Sequence, residues 1–426
     1  RNRYRGLDRL RPEKICQQVM AGSRDAVYDS TLQRPAKMAD IQTVQERAQE
    51  DTREGVARRT FKYRLYPTAE QAIVLDRWLW LCRQLYNACL EQRIAAWKMQ
   101  RKSLSKFTQM NELLDLKAAF PEFKEVNGQV LQNVVRRVDV SFQRFFKQGA
   151  GYPKFQDRRR YGSFAYSQNG WRFLGDTRRL RLTGCGEVRV RLSRPIQGVI
   201  KTVTIKRTRS GRWFVCFSCN AVPAKIYPAT TATVGLDLGL TTLVTTSDGE
   251  KLGDTRFLKR NLRKLCRVQR HVARQKRGSN RRRKSVRNLA RLHERIADQR
   301  RDMHHKVSTA LVRKYGLIAH EAITPAFMLA NRSTARAASD AGWSQLLSFL
   351  QWKSAEAGRD LVAVDPYNTS QACSTCGALV PKALSERTHR CPCGTVLDRD
   401  HNAALNILKL AQAGPSGANH RKRMVA

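Results

Sequence analysis

The stretch Val234-Gly235-Leu236-Asp237-Leu238-Gly239 decides how this chain is read. Apolar residues alternate with glycine and aspartate, the period of a strand whose two faces differ. Asp237 stands on one face, flanked by glycines that let a second backbone or a ligand approach closely. A carboxylate within an apolar strand is costly to desolvate unless it is paired or binds a cation. Leu243, Val244 and Asp248-Gly249 supply a second strand and a hairpin-type turn.

Two further acids repeat the oddity. Glu321 lies in Leu317-Ile318-Ala319-His320-Glu321-Ala322-Ile323, another apolar strand pattern, and Asp400 lies in Asp398-Arg399-Asp400-His401-Asn402, where a helix begins. Each has an ordinary explanation: Asp400 as an N-cap, Glu321 paired with a buried arginine, Asp237 bonded to backbone amides. Taken jointly, two strand-borne acids and one at a helix start suit a shared divalent-metal site, with hard oxygen ligands for Mg²⁺ or Mn²⁺. Two such ions clamp the attacking and leaving oxygens of a phosphodiester.

Charge supports that substrate class. The 426 residues suffice for two or three domains, and 80 Lys+Arg against 35 Asp+Glu leave a net charge of +45. A chain this basic calls for a polyanion, and nucleic acid comes first. An anionic membrane surface is the rival. However, no uncharged apolar run reaches the roughly 18–20 residues a bilayer demands. Arg1 to Arg11 is mostly polar, without the apolar centre of a signal peptide, so an intracellular, cytoplasmic and nucleoid-associated protein is expected.

Of the 11 cysteines, Cys373, Cys376, Cys391 and Cys393 cluster in a stretch marked by Gly377 and Gly394. Two glycine-terminated thiol pairs match a closed, structural Zn²⁺ ribbon. The second arm is one residue shorter than C-x-x-C, which leaves His389 or His401 open as a substitute ligand. Cys216-x-x-Cys219 resembles half a metal site, but residues three apart on a strand point to opposite faces.

Residues 1–58 are polar, charged and aperiodic, and read as an extension. Phe61, Tyr63 and Leu65 alternate with Lys62 and Arg64 as a strand with a basic face, which Pro67 ends. Thr68 and Gln71 then form a capping-box pair. Leu75 to Cys89 carries one apolar helical stripe. A second stripe runs through Leu131, Val134, Val135, Val138, Phe142, Phe145 and Phe146, and both read as core. From 149 to 228, Gly151-Tyr152-Pro153-Lys154-Phe155 is a turn signal followed by Arg158, Arg159 and Arg160. Short alternating runs after it suggest a small barrel or sandwich. Arg256 to Arg301 combines dense positive charge with an apolar thread broken at Gly278-Ser279-Asn280, which predicts a basic helical hairpin over 256–306 that contacts phosphate.

With these residues placed, the chain resembles the TnpB family of transposon-encoded RNA-guided nucleases, relatives of the type V CRISPR effectors. YRLYPTAEQ, CRQLYNACL, GYPKF, GLDLGLTTLVTTSDG, SDAGW, YNTSQACSTCG and DRDHNAALNI carry the resemblance, in the family's order, over roughly 59–410. It implies an α/β multidomain protein. A wedge-type β-barrel would comprise 59–66 and 149–228, and a helical recognition lobe 67–148. A RuvC-like nuclease of RNase H fold would comprise 229–365 and 397–426, with a zinc-ribbon insertion at 366–396 that binds target nucleic acid.

Asp237, Glu321 and Asp400 match the family's three metal-binding catalytic acids, with Asp398 the neighbouring alternative to the last. The resemblance further implies a guide RNA from the transposon end, a double-stranded DNA target beside a short flanking motif, and a monomer on one RNA. Lys62, Arg64, Lys154, Arg158, Arg159, Arg160, Lys276, Arg277, Arg281, Arg282, Arg283 and Lys284 are then candidate nucleic-acid contacts. An RNA-guided repressor or a transposition accessory factor that binds without cutting is the alternative, and an intact set of three acids argues against it.

Overall fold

The computed structural model describes residues 56–224, 227–323, 328, 330–332, 334–383 and 386–414. Of the expected N-terminal extension, residues 1–55 lie outside the described residues, as do residues 415–426 of the expected nuclease segment. The chain divides into two compact units, which meet in sequence between Pro223 and Ala224.

The first unit is built on seven antiparallel strands: β1 (Val56–Tyr66), β2 (Ser163–Tyr166), β3 (Trp171–Leu174), β4 (Arg179–Leu182), β5 (Gly186–Arg191), β6 (Val199–Arg207) and β7 (Trp213–Pro223). Their order is β2-β6-β7-β1-β5-β4-β3, and the sheet curls into a nearly closed barrel. Strand β1 joins the sheet three residues earlier than sequence alternation suggests, because Val56 and Ala57 still pair with Pro223 and Val222 across the ladder. Phe61, Tyr63 and Leu65 are buried while Lys62 is exposed. In β7, Cys219 is buried and Cys216 lies on the other face, so the thiols diverge as the strand period requires.

Pro67 stops β1, and Thr68 caps helix α1 (Ala69–Gln100): Thr68 Oγ1 accepts from Gln71 N at 3.2 Å and Gln71 Oε1 accepts from Thr68 N at 3.1 Å. Helices α2 (Lys106–Asn111), α3 (Leu113–Ala119) and α4 (Gly128–Gln148) follow. Leu75, Trp78, Cys82, Leu85 and Cys89 of α1 share one core with Leu131, Val134, Val135 and Val138 of α4 and with the barrel interior. The α4 stripe does not remain core to its end. Burial stops at Val138, Phe142 and Phe145 are partly buried, and Phe146 is 74% exposed. Helical periodicity records which face a residue occupies but not how far the opposing surface extends.

The second unit carries strands β8 (Thr233–Asp237), β9 (Thr242–Thr246), β10 (Lys251–Asp254), β11 (Leu317–Glu321) and β12 (Asp360–Val364), in the order β10-β9-β8-β11-β12. The β10-β9-β8 meander is antiparallel, and β11 and β12 run parallel to β8. This is the RNase H strand order expected of a RuvC-like fold. The crossover to β11 passes through the hairpin of α5 (Phe257–Ala273) and α6 (Asn280–Lys314), closed by Leu265, Leu292 and Ile296. Gly278, at φ +85°, makes its turn.

Helices α7 (Ala335–Ala341) and α8 (Trp343–Ala357) lead to β12. Asp340 Oδ2 accepts from Leu258 N at 2.7 Å and its Oδ1 from Arg300 at 2.9 Å, so one buried carboxylate ties α5 and α6 to α7. A small antiparallel pair, β13 (Thr388–Arg390) and β14 (Val396–Asp398), precedes α9 (Arg399–Gln412).

The two faces of the larger sheet have different covers. Val234 and Leu236 pack against Val307 and Leu311 of α6 and Leu346 and Leu350 of α8. On the opposite face Ala319 and Val364 meet Ile407 of α9. A Cβ on Gly235 would sit 2.0 Å from Ala404 O and 2.8 Å from Leu408 N, so α9 lies directly against the β8 backbone. Glycine is required there by contact with a neighbouring helix.

Candidate active site and cysteine cluster

The α9 face of β8 carries Gly235 and, two residues on, Asp237. On β11, Ala319 packs toward α9, and Glu321 shares its face. The parallel register aligns Gly235 with Ala319 and Leu236 with His320, so one further step sets Asp237 beside Glu321. Asp400 enters from the first turn of α9. Three acids distant in sequence thus converge at the carboxyl ends of two central strands.

Burial and mutual repulsion dominate the electrostatics of Asp237. Burial, and then the charges of Glu321 and Asp400, push the Asp237 carboxyl up to about 8, with Arg399 opposing. Burial also raises Glu321, against a hydrogen bond from Thr369 Oγ1 to Glu321 Oε1 at 2.5 Å. His320 is buried with its pKa lowered by burial, and its Nδ1 lies 2.8 Å from Glu321 O.

Asp398 and Asp400 separate cleanly. Asp398 is the N-cap of α9: its Oδ1 accepts from Asp400 N at 2.9 Å and His401 N at 3.3 Å, while Oδ2 pairs with Lys251 Nζ at 2.8 Å. Burial works against its ionisation, but Lys251 and the two amides prevail and hold the carboxyl below its usual range. Asp400 is not the cap, and the Arg387 guanidinium stands 3.9 Å from it. A cation held among Asp237, Glu321 and Asp400 would offset the burial and the mutual repulsion that raise Asp237, and hard oxygen donors suit Mg²⁺ or Mn²⁺.

Sequence reasoning missed Thr369. It is buried in an irregular segment and held by Asn406 Nδ2, which donates to Thr369 O at 2.8 Å and to Ala372 O at 2.8 Å. One turn earlier, Asn402 bonds Ala372 O at 2.8 Å and accepts from Ser374 N at 2.9 Å. The asparagines of DRDHNAALNI therefore clamp residues 369–374 to α9.

That segment leads into the cysteines. Among the described residues, Cys373, Cys376, Cys391 and Cys393 form the group whose ligand atoms all lie within 4.8 Å of one another, and the three carboxylates do not close to that spacing. Sγ–Sγ distances are 3.7 Å for Cys373–Cys393 and 3.5 Å for Cys376–Cys391. A tetrahedron with Zn–S bonds of about 2.3 Å has edges of about 3.8 Å, so the thiols fit zinc. The shortened Cys391-Pro392-Cys393 arm reaches the cluster. The Cys376 and Thr375 amides help hold Cys373 down to about 5, in thiolate form. His401 is engaged by Ser247 O at 2.9 Å, and His389 contacts Lys382 Nζ.

The basic candidates fall into three groups, two in the first unit and one in the second. Lys62 and Arg64 flank Phe214 on the outer barrel face, with Lys62 Nζ 4.1 Å from the ring centroid. Lys154, Arg158, Arg159 and Arg160 are exposed. Lys276, Arg277, Arg281, Arg283 and Lys284 are exposed around the hairpin turn, whereas Arg282 bends back to Val272 O and Gln275 O at 3.1 and 3.2 Å.

An RNase H-type sheet bearing three acids at one end, followed by a four-thiol ribbon ahead of the last acid, defines the RuvC-like class. Comparisons with known proteins narrow it. Residues 343–407 match a family described as "Cas12f1-like, TNB domain", and residues 219–332 one described as "Probable transposase". Residues 57–102 match a family described as "Helix-turn-helix domain", a segment that is here a strand and one long helix. A Streptomyces pristinaespiralis protein named "Putative RNA-guided DNA endonuclease" is 40% identical over 82% of this chain and 89% of its own length. "Putative RNA-guided DNA endonuclease InsQ" of Escherichia coli K12 is 30% identical over 83% of this chain and 92% of its own.

The chain belongs to the TnpB family. The Cas12f1 chain of a cryo-EM complex with sgRNA and target DNA shares its fold, at TM-score 0.54 and 13% identity over 83% of this chain and 99% of that one. The mini-RNA-guided endonuclease CRISPR-Cas_phi3 gives 0.52 and 8% over 84% and 92%. Among the described residues no helix is long and apolar enough to cross a membrane.

Proposed function

We propose that this protein is an RNA-guided DNA endonuclease that hydrolyses both strands of a target at one RuvC-like site. The observation that carries this reading is the convergence of Asp237, Glu321 and Asp400, with the Asp237 carboxyl raised first by burial and then by the charges of the other two. Asp237, Glu321 and Asp400 would hold Mg²⁺, which when bound supplies the positive charge that activates water and steadies the leaving oxygen. Thr369 orients Glu321, and Asp398, occupied by the α9 amides and Lys251, keeps Asp400 in place without joining it.

The relatives' names and the complex formed by the Cas12f1 neighbour support a guide RNA and a double-stranded DNA target as partners. Guide pairing supplies the sequence specificity, and the protein reads backbone and a short flanking motif. Residues 59–66 and 149–228 act as the wedge, 67–148 as the recognition lobe, and 366–396 as the zinc-bearing target-binding insertion. The basic groups above would serve as contacts to phosphate.

The test is expression with the native flanking DNA, sequencing of the copurified RNA, and assay on plasmids bearing a matching target beside randomised flanks. Guide-matched cleavage with Mg²⁺ that disappears in EDTA or in Asp237→Ala, while target binding persists, is the expected result. Tight binding by the wild type without cleavage supports an RNA-guided repressor instead.

A further inference from the structure

The last turn of α4 and the loop after it are explained neither by the core nor by the active site. Phe142, which still packs against the edge of the core, and Phe145, Phe146 and Tyr152 beyond it contact one another. Phe142 stacks on Phe146 at 6.1 Å and 22°, and Tyr152 stands edge-on to Phe142 at 5.9 Å and to Phe145 at 5.3 Å. Phe146 is 74% exposed, Tyr152 48% and the nearby Phe155 47%. An exposed aromatic group of this kind marks an interaction surface.

Its charge selects the occupant. From Val140 through Gln156 there is no acid, while Arg144, Lys147 and Lys154 are all exposed. Arg158, Arg159 and Arg160 follow, exposed as well, and Asp157 before them is taken up by the Arg159 and Arg160 amides. A second copy of a chain with charge +45 would bring like charge against like.

We infer that this cluster is a stacking surface for unpaired nucleobases of an RNA strand, with the surrounding lysines and arginines on its phosphates. The inference rests on the RNA-guided reading above. Rings supply flat faces that accept any base, and cations beside them follow the backbone. Single-stranded RNA is recognised in this way, by bases splayed onto aromatic side chains. Tyr152 is the one ring of the four with a hydroxyl, a donor and acceptor suited to a ribose 2′-OH. The mutual edge contacts hold the rings in place before a base arrives, which lowers the ordering cost of binding.

The test uses the full chain freed of copurified nucleic acid. Fluorescence anisotropy compares an oligouridine of about 12 nucleotides, an abasic ribose-phosphate oligomer of equal length, and oligo(dT). Phe146→Ala is expected to weaken oligouridine binding about 5- to 100-fold and leave the abasic oligomer unchanged, with Phe146→Trp restoring affinity. Tyr152→Phe is expected to reduce the preference for oligouridine over oligo(dT). An equal loss on the abasic oligomer overturns the inference, as does wild-type protein that binds oligo(dT) as tightly as oligouridine. Guide-directed plasmid cleavage, assayed in parallel, separates the two readings: its absence in the wild type retires the endonuclease without changing the base-against-abasic comparison.

Discussion

Asn406 of α9 donates to the carbonyl of Thr369, whose hydroxyl lies 2.5 Å from Glu321 Oε1. A helix residue thereby fixes a loop residue, which orients an acid on a strand of the sheet beneath. The same loop runs directly into Cys373, so the thiol cluster and the acids share one anchor on α9. Thr369→Val removes the donor and keeps the shape. Loss of such a supporting hydrogen bond typically costs 10- to 100-fold in metal affinity or activity. Cleavage should fall within about that range, with the Mg²⁺ concentration for half-maximal rate raised and the melting temperature little changed. Thr369→Ser should restore the rate.

The raised Asp237 carboxyl gives a pH dependence with a definite sign. The folded, metal-free protein holds a proton there up to about 8, whereas an unfolded chain releases it near 3.8. Stability contributed by the held proton is present below the unfolded value and is lost as pH rises through the folded one. Asp237→Asn, which cannot ionise, should therefore melt a few degrees above wild type at pH 8 in EDTA and no differently at pH 4. Added Mg²⁺ should raise the melting temperature of the wild type and not of the variant. The variant should also fail to cut, a more stable protein without its activity.

Zinc should be countable. The four Sγ atoms lie within 4.8 Å, so the purified chain should carry one zinc by elemental analysis and lose it in Cys376→Ser or Cys391→Ser. Since Ser374 N and Ala372 O bond Asn402, collapse of the thiol cluster should also loosen the clamp that holds Thr369. Protection of α9 amides from hydrogen exchange should fall in the zinc-free variants.

The legible parts of this fold were those with a period. Alternation at Val234–Gly239 and Leu317–Glu321 placed two acids on strands, and the sheet pairs those strands in parallel. Thiol spacing identified the four cysteines that the fold brings together, including the short arm. What sequence could not show depended on where surfaces end or on contacts made across the fold. Phe145 and Phe146 continue a helical stripe beyond the edge of the core. Thr369 belongs to no periodic element and gains its role from Asn406, thirty-seven residues away. Asp398 and Asp400 have the same chemistry, and the N-cap geometry alone tells them apart.

Gly235 gives the last prediction, and the most local one. It occupies an ordinary strand position, so alanine there brings no backbone strain. The obstacle is α9, whose Ala404 carbonyl would lie 2.0 Å from the new Cβ and whose Leu408 amide 2.8 Å from it. Both are backbone atoms, which cannot rotate aside as a side chain would. To admit the methyl, α9 must lift from β8 and take Asp400 with it, while Asp237 stays on the strand. Overpacking of this kind costs about 1–3 kcal/mol, and more where backbone must move. Gly235→Ala should therefore melt lower and lose cleavage beyond what its melting point explains at the assay temperature.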